Sequence, residues 1–478
     1  MRHAGVIVIV IVIVIAAVVS ACGGDGSSSV DAPGSVDATP GADAPPAVTD
    51  PPDADDRSGT RLKRRLLVAG DGFRVQVGWF DSLLAVDCAF RRLADGSSRC
   101  VPGATQVTVR YRDQTCTDRV FWSSSTLPGG PAYYQTSEGC QVRYWRDPQA
   151  VAVPSPLYMV DFSGACVMTS PTGGTYYTAT EVPSTDFVAE TLTLEPAGSE
   201  LMLRVRTTAD GARELLHLFA PALDSGCRYD RMPDGSVRCA PRLFADPGEQ
   251  SPPSFADAAC TQSVRTYAPC EAVPEHKLFT TTPRACAPSH EYAPISPYSG
   301  PVYDLIGAQC TAATSTTGVH GLVGARLPSS AFVVETSRAL GEGATRIRRG
   351  YSVYADGTIG PRELWDSRHG VECRARDGSG VERCEPTAYL DRSAAFADAA
   401  CTQPLADSSG DPCPAELRPA WARGAAGAYH RVTGEHVGTT AYVMGTSGCT
   451  QVPVDIPLFT IDPTAVTDWE PFTPMTEP

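Results

Sequence analysis

Apolar and polar residues alternate with a period of two over short runs through most of the chain, and Gly, Pro and Asp interrupt the runs. Three long segments show this most clearly: "RLKRRLLVAGDGFRVQVGWFD" (61–81), "ELMLRVRTTADGARELLHLFA" (200–220) and "TRIRRGYSVYADGTIGPRELWD" (345–366). Alternation of this kind puts one face of a strand on a core and the other in solvent. The Asp-Gly pair in the middle of each segment is a hairpin signal, and a type I′ turn with positive φ at both central residues is expected there. No long stretch carries the 3.6-residue period of an amphipathic helix, so helices should be few.

The same order of features then recurs. After each segment come a cysteine, a second Asp-Gly and another cysteine: "CAFRRLADGSSRCVP", "CRYDRMPDGSVRCAP" and "CRARDGSGVERCEP". An octapeptide follows, "FADAACTQ" at Phe255–Gln262 and Phe396–Gln403, with a degenerate copy "YRDQTCTD" at Tyr111–Asp118. Cys166, Cys310 and Cys449 each follow a small-residue turn further on. The first two blocks close on "EVPSTDFVAET" and "RLPSSAFVVET", the third on the weaker "TIDPTAVTDWEP". Self-similarity at a fixed period marks one supersecondary unit used repeatedly.

These signals predict an all-β fold with a threefold internal repeat, at about eight strands per unit. Units are expected at 61–199, 200–343 and 344–478. Two architectures accommodate them. Radial repetition of four-stranded sheets gives a six-bladed β-propeller, two blades per unit; three tandem β-sandwich or barrel domains are the alternative. The short joins between blocks favour the propeller.

The first 60 residues do not belong to this pattern. "MRHAGVIVIVIVIVIAAVVSAC" has an early Arg, an apolar run from Val6 to Val19 and small residues up to Cys22. The run is short for a permanent membrane span and suits a secretory leader, 1–21. Val19-Ser20-Ala21-Cys22 resembles a bacterial lipobox, which implies lipidation of Cys22 and a membrane attachment through that anchor only. Gly23 follows the cysteine in place of the Asp that favours inner-membrane retention, so an outer-membrane or surface location is expected. From Cys22 to Thr60 the chain is rich in Asp, Ala and Pro without apolar periodicity, and reads as a disordered, charged tether. Its Asp53, Asp55 and Asp56 read as part of that spacer, since the loop glycine and closing Glu of a calcium loop are missing.

Composition narrows the function classes. Of 478 residues 42% are hydrophobic and 19% charged, with 43 Gly and 41 Pro, too apolar for a disordered chain and rich in turn formers. The formal charge of −15 argues against a nucleic-acid partner, whose phosphates need a basic face. There are 17 cysteines and no C-x-x-C. Setting Cys22 aside leaves an even number in an exported chain, the arithmetic of disulfides. Spacing across the second Asp-Gly suggests Cys88–Cys100, Cys227–Cys239 and Cys373–Cys384. Matching the remaining cysteines between blocks suggests Cys260–Cys270, Cys401–Cys413, Cys140–Cys166 and Cys286–Cys310. Cys116 and Cys449 are then left to join each other, tying the chain's end to its beginning.

Chemistry is sparse. No G-x-S-x-G, H-E-x-x-H, P-loop or G-x-G-x-x-G occurs. No cofactor or metal is expected; His430 and His436, six apart with Glu435 between, are solvated turn residues rather than ligands. Asp113, Asp257 and Asp398 of the octapeptide are expected to cap turns. Trp122, Trp145, Trp421 and Trp469 do not recur between blocks and stand as candidates for a ligand surface, against the simpler expectation of local packing. The whole pattern of lipobox, Asp/Ala/Pro tether and "GWFD … C … DG … RC.P … D..CT" units resembles uncharacterised Cys-rich, repeat-bearing lipoproteins of Gram-negative soil bacteria, a resemblance that carries no catalytic residue with it. The leading expectation is a non-enzymatic surface module that binds protein or glycan. An extracytoplasmic propeller-type hydrolase or lyase and a structural envelope component are the alternatives.

Overall fold

The computed structural model describes residues 47–48, 51–124, 133–138, 141–161, 164–242, 254–267, 273–280, 289–307, 309–313, 318–377, 381–408, 418–424, 428–454 and 456–478. The chain divides into Met1–Ala44 and Pro45–Pro478, and all described residues belong to the second unit. The leader, Cys22 and most of the tether therefore lie outside the described residues. So do Cys140, Cys270, Cys286 and Cys413.

Among the described residues there are 38 strands, three short 3-10 helices and no α-helix. They form six open sheets of two alternating kinds. The first kind is an antiparallel meander. In the second repeat it runs Glu190–Pro196, Met202–Thr208, Arg213–Ala220, Ser225–Arg231, Val237–Pro241. The third repeat has Glu335–Gly341, Ile347–Tyr354, Ile359–Asp366, Val371–Asp377 and Glu382–Pro386, with the short strand Ala47–Val48 added parallel to the outer edge. The first repeat, like the others, supplies four strands of its own meander, Leu62–Ala69, Arg74–Asp81, Val86–Arg92 and Ser98–Pro102. Its outermost strand is Phe472–Thr476, from the far end of the chain. The second kind of sheet has eight, seven and seven strands in an order that departs from the chain's. The plan is thus not six four-stranded blades, and the description as three β units holds better, with each unit lending its last strand to the next meander.

That exchange runs in a circle. The first Asp-Gly turn of each unit caps the entry of the preceding unit's meander. Asp210 accepts from Leu62 N at 2.7 Å, Asp356 from Leu201 N at 2.9 Å, and Asp71 from Ile347 N at 3.0 Å. The cores follow the same cycle. Ala212 of unit 2 packs on the buried Cys88–Cys100 bridge of unit 1, Tyr354 of unit 3 on Cys227–Cys239, and Leu67, Ala69 and Phe73 of unit 1 on Cys373–Cys384.

The Asp-Gly turns are not type I′. Positive φ is confined to the glycines, Gly72, Gly96, Gly211, Gly235 and Gly357. The residue two before each glycine's aspartate closes the turn twice: Leu93 N donates to Ser97 O at 2.8 Å and Gly96 N to Leu93 O at 3.0 Å. This is a type I turn followed by a glycine bulge. The aspartate sits in ordinary backbone and uses its carboxylate to hold the amide two residues on, as Asp95 holds Ser97 N at 2.9 Å.

Six disulfides lie among the described residues. Three cross the second hairpin of each meander: Cys88–Cys100, Cys227–Cys239 and Cys373–Cys384. The other three are Cys116–Cys166, Cys260–Cys310 and Cys401–Cys449. These replace the pairings Cys260–Cys270, Cys401–Cys413, Cys140–Cys166, Cys286–Cys310 and Cys116–Cys449 expected from sequence. The reason is the octapeptide. Its Asp takes the amides of the residues four and five on, such as Thr402 N and Gln403 N from Asp398, both at 2.8 Å. The enclosed cysteine is turned into the left-handed region, at φ 51°, 53° and 53° for Cys116, Cys260 and Cys401. That points its Sγ away from its neighbours in sequence and at a hairpin about fifty residues on. The chain's end does return to its beginning, but through backbone pairing of Phe472–Thr476 with Leu62–Ala69 instead of a Cys116–Cys449 bond. Peptide mapping without reduction is expected to yield the three octapeptide bridges, one within each repeat; a peptide joining Cys116 to Cys449 would contradict the fold.

Candidate functional site

The repeated residues are occupied in holding the units together. Arg99, Arg238 and Arg383, each before the second hairpin cysteine, donate to the carbonyls of Phe187, Phe332 and Trp469 at 2.8, 2.9 and 3.1 Å. Each of those aromatics is buried and packs edge-on against a tyrosine of the following sheet, Tyr144, Tyr292 or Tyr429. Trp469 is therefore the third copy of a core position and not a lone surface aromatic. Trp145 and Trp421 are also buried, and Trp122 gives its indole N–H to Gly173 O at 2.9 Å. The four tryptophans do not form a ligand surface. The expectation of local packing holds for the buried three, and at Trp469 a Trp in place of Phe breaks the literal repeat while preserving its packing role.

The histidines also disperse. His430 Nδ1 lies 2.9 Å from Asp462 O and His436 Nε2 2.9 Å from Thr440 O, each served by its own carbonyl. Among the described residues no group of three His, Cys, Asp or Glu is placed to hold a metal ion. Asp113, Asp257 and Asp398 sit in their exposed turns, with backbone and Thr hydroxyl donors holding Asp113 and Asp398 below the usual carboxylate range.

The place where the repeat pattern fails is the junction of the three meanders. There the last part of the supposed spacer, residues 51–60, is built into the fold. Arg57 pairs with Arg213 as an isolated antiparallel bridge, and Thr60 N donates to Asp210 O at 2.9 Å. Tyr351 OH donates to Asp53 Oδ1 at 2.7 Å. Asp56 Oδ1 takes Leu215 N at 2.7 Å and lies 3.2 Å from Arg213 Nη1. Ser58 Oγ donates to Glu477 at 2.6 Å, and Arg64 grips the same carboxylate with two bonds of 2.8 and 2.7 Å. One stretch of ten residues thus touches all three units and the chain's end. Asp53 and Asp56 counter buried tyrosine and arginine groups while Asp55 stays exposed, a division that composition alone cannot distinguish from a spacer.

A cavity of about 320 Å³ remains beside this segment. Asp53, Asp56, Glu214, Arg64, Arg349 and Gln76 contribute its polar lining. At corresponding positions of the three meanders stand Gln76, Leu215 and Pro361, so only unit 1 offers an amide there. Both polar atoms of the Gln76 amide are shielded from solvent and have no hydrogen-bond partner. A buried amide left unmatched costs about 1–3 kcal/mol per group, and such a group marks a place where a small polar ligand or water completes the site.

The electrostatics there are uneven. Burial pushes the Asp56 carboxyl up to about 7; Asp53 and Glu214 push the same way, while Leu215 N–H and Arg213 pull down. Arg213 does not prevail because it is shared, with Glu195 2.9 Å from its other nitrogen. Glu477, in contrast, is held down to about 2 by Arg64 and Ser58. An unfolded aspartate loses its proton near 4, whereas folded Asp56 keeps its own to about 7. Between these values the folded state binds more protons, so the Asp56 contribution to stability falls as pH rises from about 4 to about 7 and is level above that. Asp56→Asn is expected to flatten this dependence: the difference in thermal midpoint between variant and native protein should grow from pH 5 to pH 8. A constant difference would mean that Asp56 titrates normally.

The fold and its junction define an all-β, disulfide-stapled protein of three strand-exchanging repeats closed end to end. The chain belongs to a family of unknown function, DUF7481, whose pattern it matches three times, over residues 53–174, 163–337 and 322–470. The first match begins within the built-in segment, two residues after Pro51. No curated protein and no solved structure gives a significant match.

Proposed function

We propose that this protein is an exported, lipid-anchored binding scaffold of the cell envelope, attached through Cys22 and presenting a stiffened β platform to a protein or glycan ligand. The observation that carries this is the grip on residues 51–60. A tether that ends inside the junction of all three repeats transmits the anchor's hold to the whole platform instead of to one exposed strand. The bridges support an oxidising, extracytoplasmic setting, and among the described residues no helix is long and apolar enough to cross a membrane. Closure of the chain's end on its first meander supports a radial arrangement of the propeller kind, with a different strand plan. An outer-membrane or surface position is the corresponding place. Feeding cells a labelled fatty acid tests the anchor: the native chain should take up label and enter the detergent phase, and Cys22→Ser should do neither. Labelling of the Cys22→Ser chain would refute it. Screening immobilised glycans and envelope proteins with native and Gln76→Leu chains tests the platform, with binding weakened by the variant expected at the junction cavity.

A second reading, an extracytoplasmic hydrolase or lyase, draws on one fact. A carboxyl that titrates near 7 beside a polar cavity suits general acid–base work. In that case Asp56→Asn would abolish turnover of a bound substrate while leaving its affinity in place.

A further inference from the structure

The three meanders have equivalent outer edges, and the chain treats them differently. In the first repeat the edge strand Phe472–Thr476 carries Pro474 opposite Leu67. Glu477 N donates inward to Arg64 O at 3.0 Å. Counting back in steps of two, Thr473 and Met475 also point inward, so Pro474 faces out and removes a donor from the rim. In the third repeat Leu340 and Gly341 of the edge strand are covered by Ala47 and Val48. In the second repeat the edge strand is Glu190–Pro196, "ETLTLEP". Among the described residues the N-terminal end of this edge is met by the bridge of Ala189 with Arg99, and no strand runs along its outer side from Thr191 on. Leu192, opposite Arg206, stands where Pro474 stands in the first repeat; Leu194, opposite Arg204, stands where the covered Leu340 stands in the third. These leucines are 41% and 42% exposed.

An uncovered edge of alternating Thr and Leu is a template for another strand, and proteins ordinarily blunt such edges with proline, charge or a covering segment. Here the flanking charges are spoken for, Glu190 by Arg206 and Glu195 by Arg213. We propose that this edge is a self-association surface, at which the Glu190–Pro196 strands of two copies pair antiparallel about a twofold axis through Thr193. In that register Leu192 of each copy faces Leu194 of the other, and their outward N–H and C=O groups exchange both backbone bonds. Glu195 faces Thr191, so no two carboxylates oppose one another along Thr191–Glu195. An axis through Leu192 would need Glu190, at the end of the strand already taken by the bridge of Ala189 with Arg99, and one through Leu194 would set Pro196, which has no N–H, against Leu192. Centred on Thr193 the strand is self-complementary, and a second copy is the partner it fits.

Cysteine cross-linking reads this register directly. Thr193 faces itself across the axis, in the non-hydrogen-bonded pair where side chains come closest. Full-length Thr193→Cys chain is expected to give a disulfide-linked dimer on mild oxidation, with the link mapped between the two introduced cysteines. Leu194→Cys alone should stay monomeric, while an equal mixture of Leu192→Cys and Leu194→Cys chains should cross-link. Adding Leu192→Lys and Leu194→Lys should weaken the association roughly tenfold, with the Cys227–Cys239 peptide unchanged as the sign of an intact sheet. A monomeric Thr193→Cys chain, or a Leu194→Cys chain that cross-links as fast, would overturn the proposal.

Discussion

Asp81→Ala is expected to destabilise the protein by about 3–5 kcal/mol, the cost of breaking a buried ion pair on one side. Asp81 is fully buried and takes two bonds from Arg61, at 2.8 and 2.7 Å, as well as the amides of Leu83 and Leu84. Arg346 and Asp366 repeat the arrangement in the third unit, again with a fully buried aspartate. The second unit has Glu200 and Ala220 in the same two places. Both partners are absent together, as they should be if either alone is worse than neither. The double variant Arg61→Glu, Asp81→Ala, which copies unit 2 into unit 1, should therefore recover more than half of the loss. Denaturant midpoints with the disulfides intact measure this. A double variant no more stable than Asp81→Ala would show that the pair is not what the aspartate contributes.

The second large effect concerns closure. Phe472 is buried against Leu67, Ile347 and the Cys373–Cys384 bridge, so Phe472→Ala should cost about 3–5 kcal/mol. Deleting Phe472–Pro478 goes further. It strips Leu62–Ala69 of its outer neighbour, opens the seam between the first and third units, and removes Glu477 from Arg64 and Ser58. Hydrogen exchange should then show amide protection lost in Leu62–Ala69 and in residues 51–60, while Met202–Thr208, whose neighbours are local, keeps its own. Undiminished protection in Leu62–Ala69 would mean that the first meander stands without the closing strand.

The contrast between these residues and the cavity explains what was readable in advance. A residue that serves the repeat appears three times, and its spacing can be seen: the hairpin cysteines, the Asp-Gly pairs and the octapeptide aspartates all announced turns and bridges. The junction residues appear once. Asp56 looks like any aspartate in an Asp/Ala/Pro run, and Gln76 looks like any polar residue in an alternating strand. The significance of Asp56 comes from Arg213 and Leu215, and that of Asp53 from Tyr351, residues far away in the chain.

Alternation, turn residues and self-similarity by themselves determined that this protein is all-β, that it is built from three copies of one unit, and that a cysteine pair crosses a hairpin in each. These are local properties, set within a span of about a dozen residues, where backbone geometry leaves few choices. Only the tertiary structure decided which distant cysteines join, which strand completes each sheet and where the charged residues 51–60 come to rest. The left-handed turn at Cys116, Cys260 and Cys401 aims each thiol at a hairpin some fifty residues on, and no pattern of spacing encodes a direction. Closure works in the same way. Phe472–Thr476 reads as an ordinary short strand, and its partner is set by a bare edge and an apolar seam that exist only once all three units have packed.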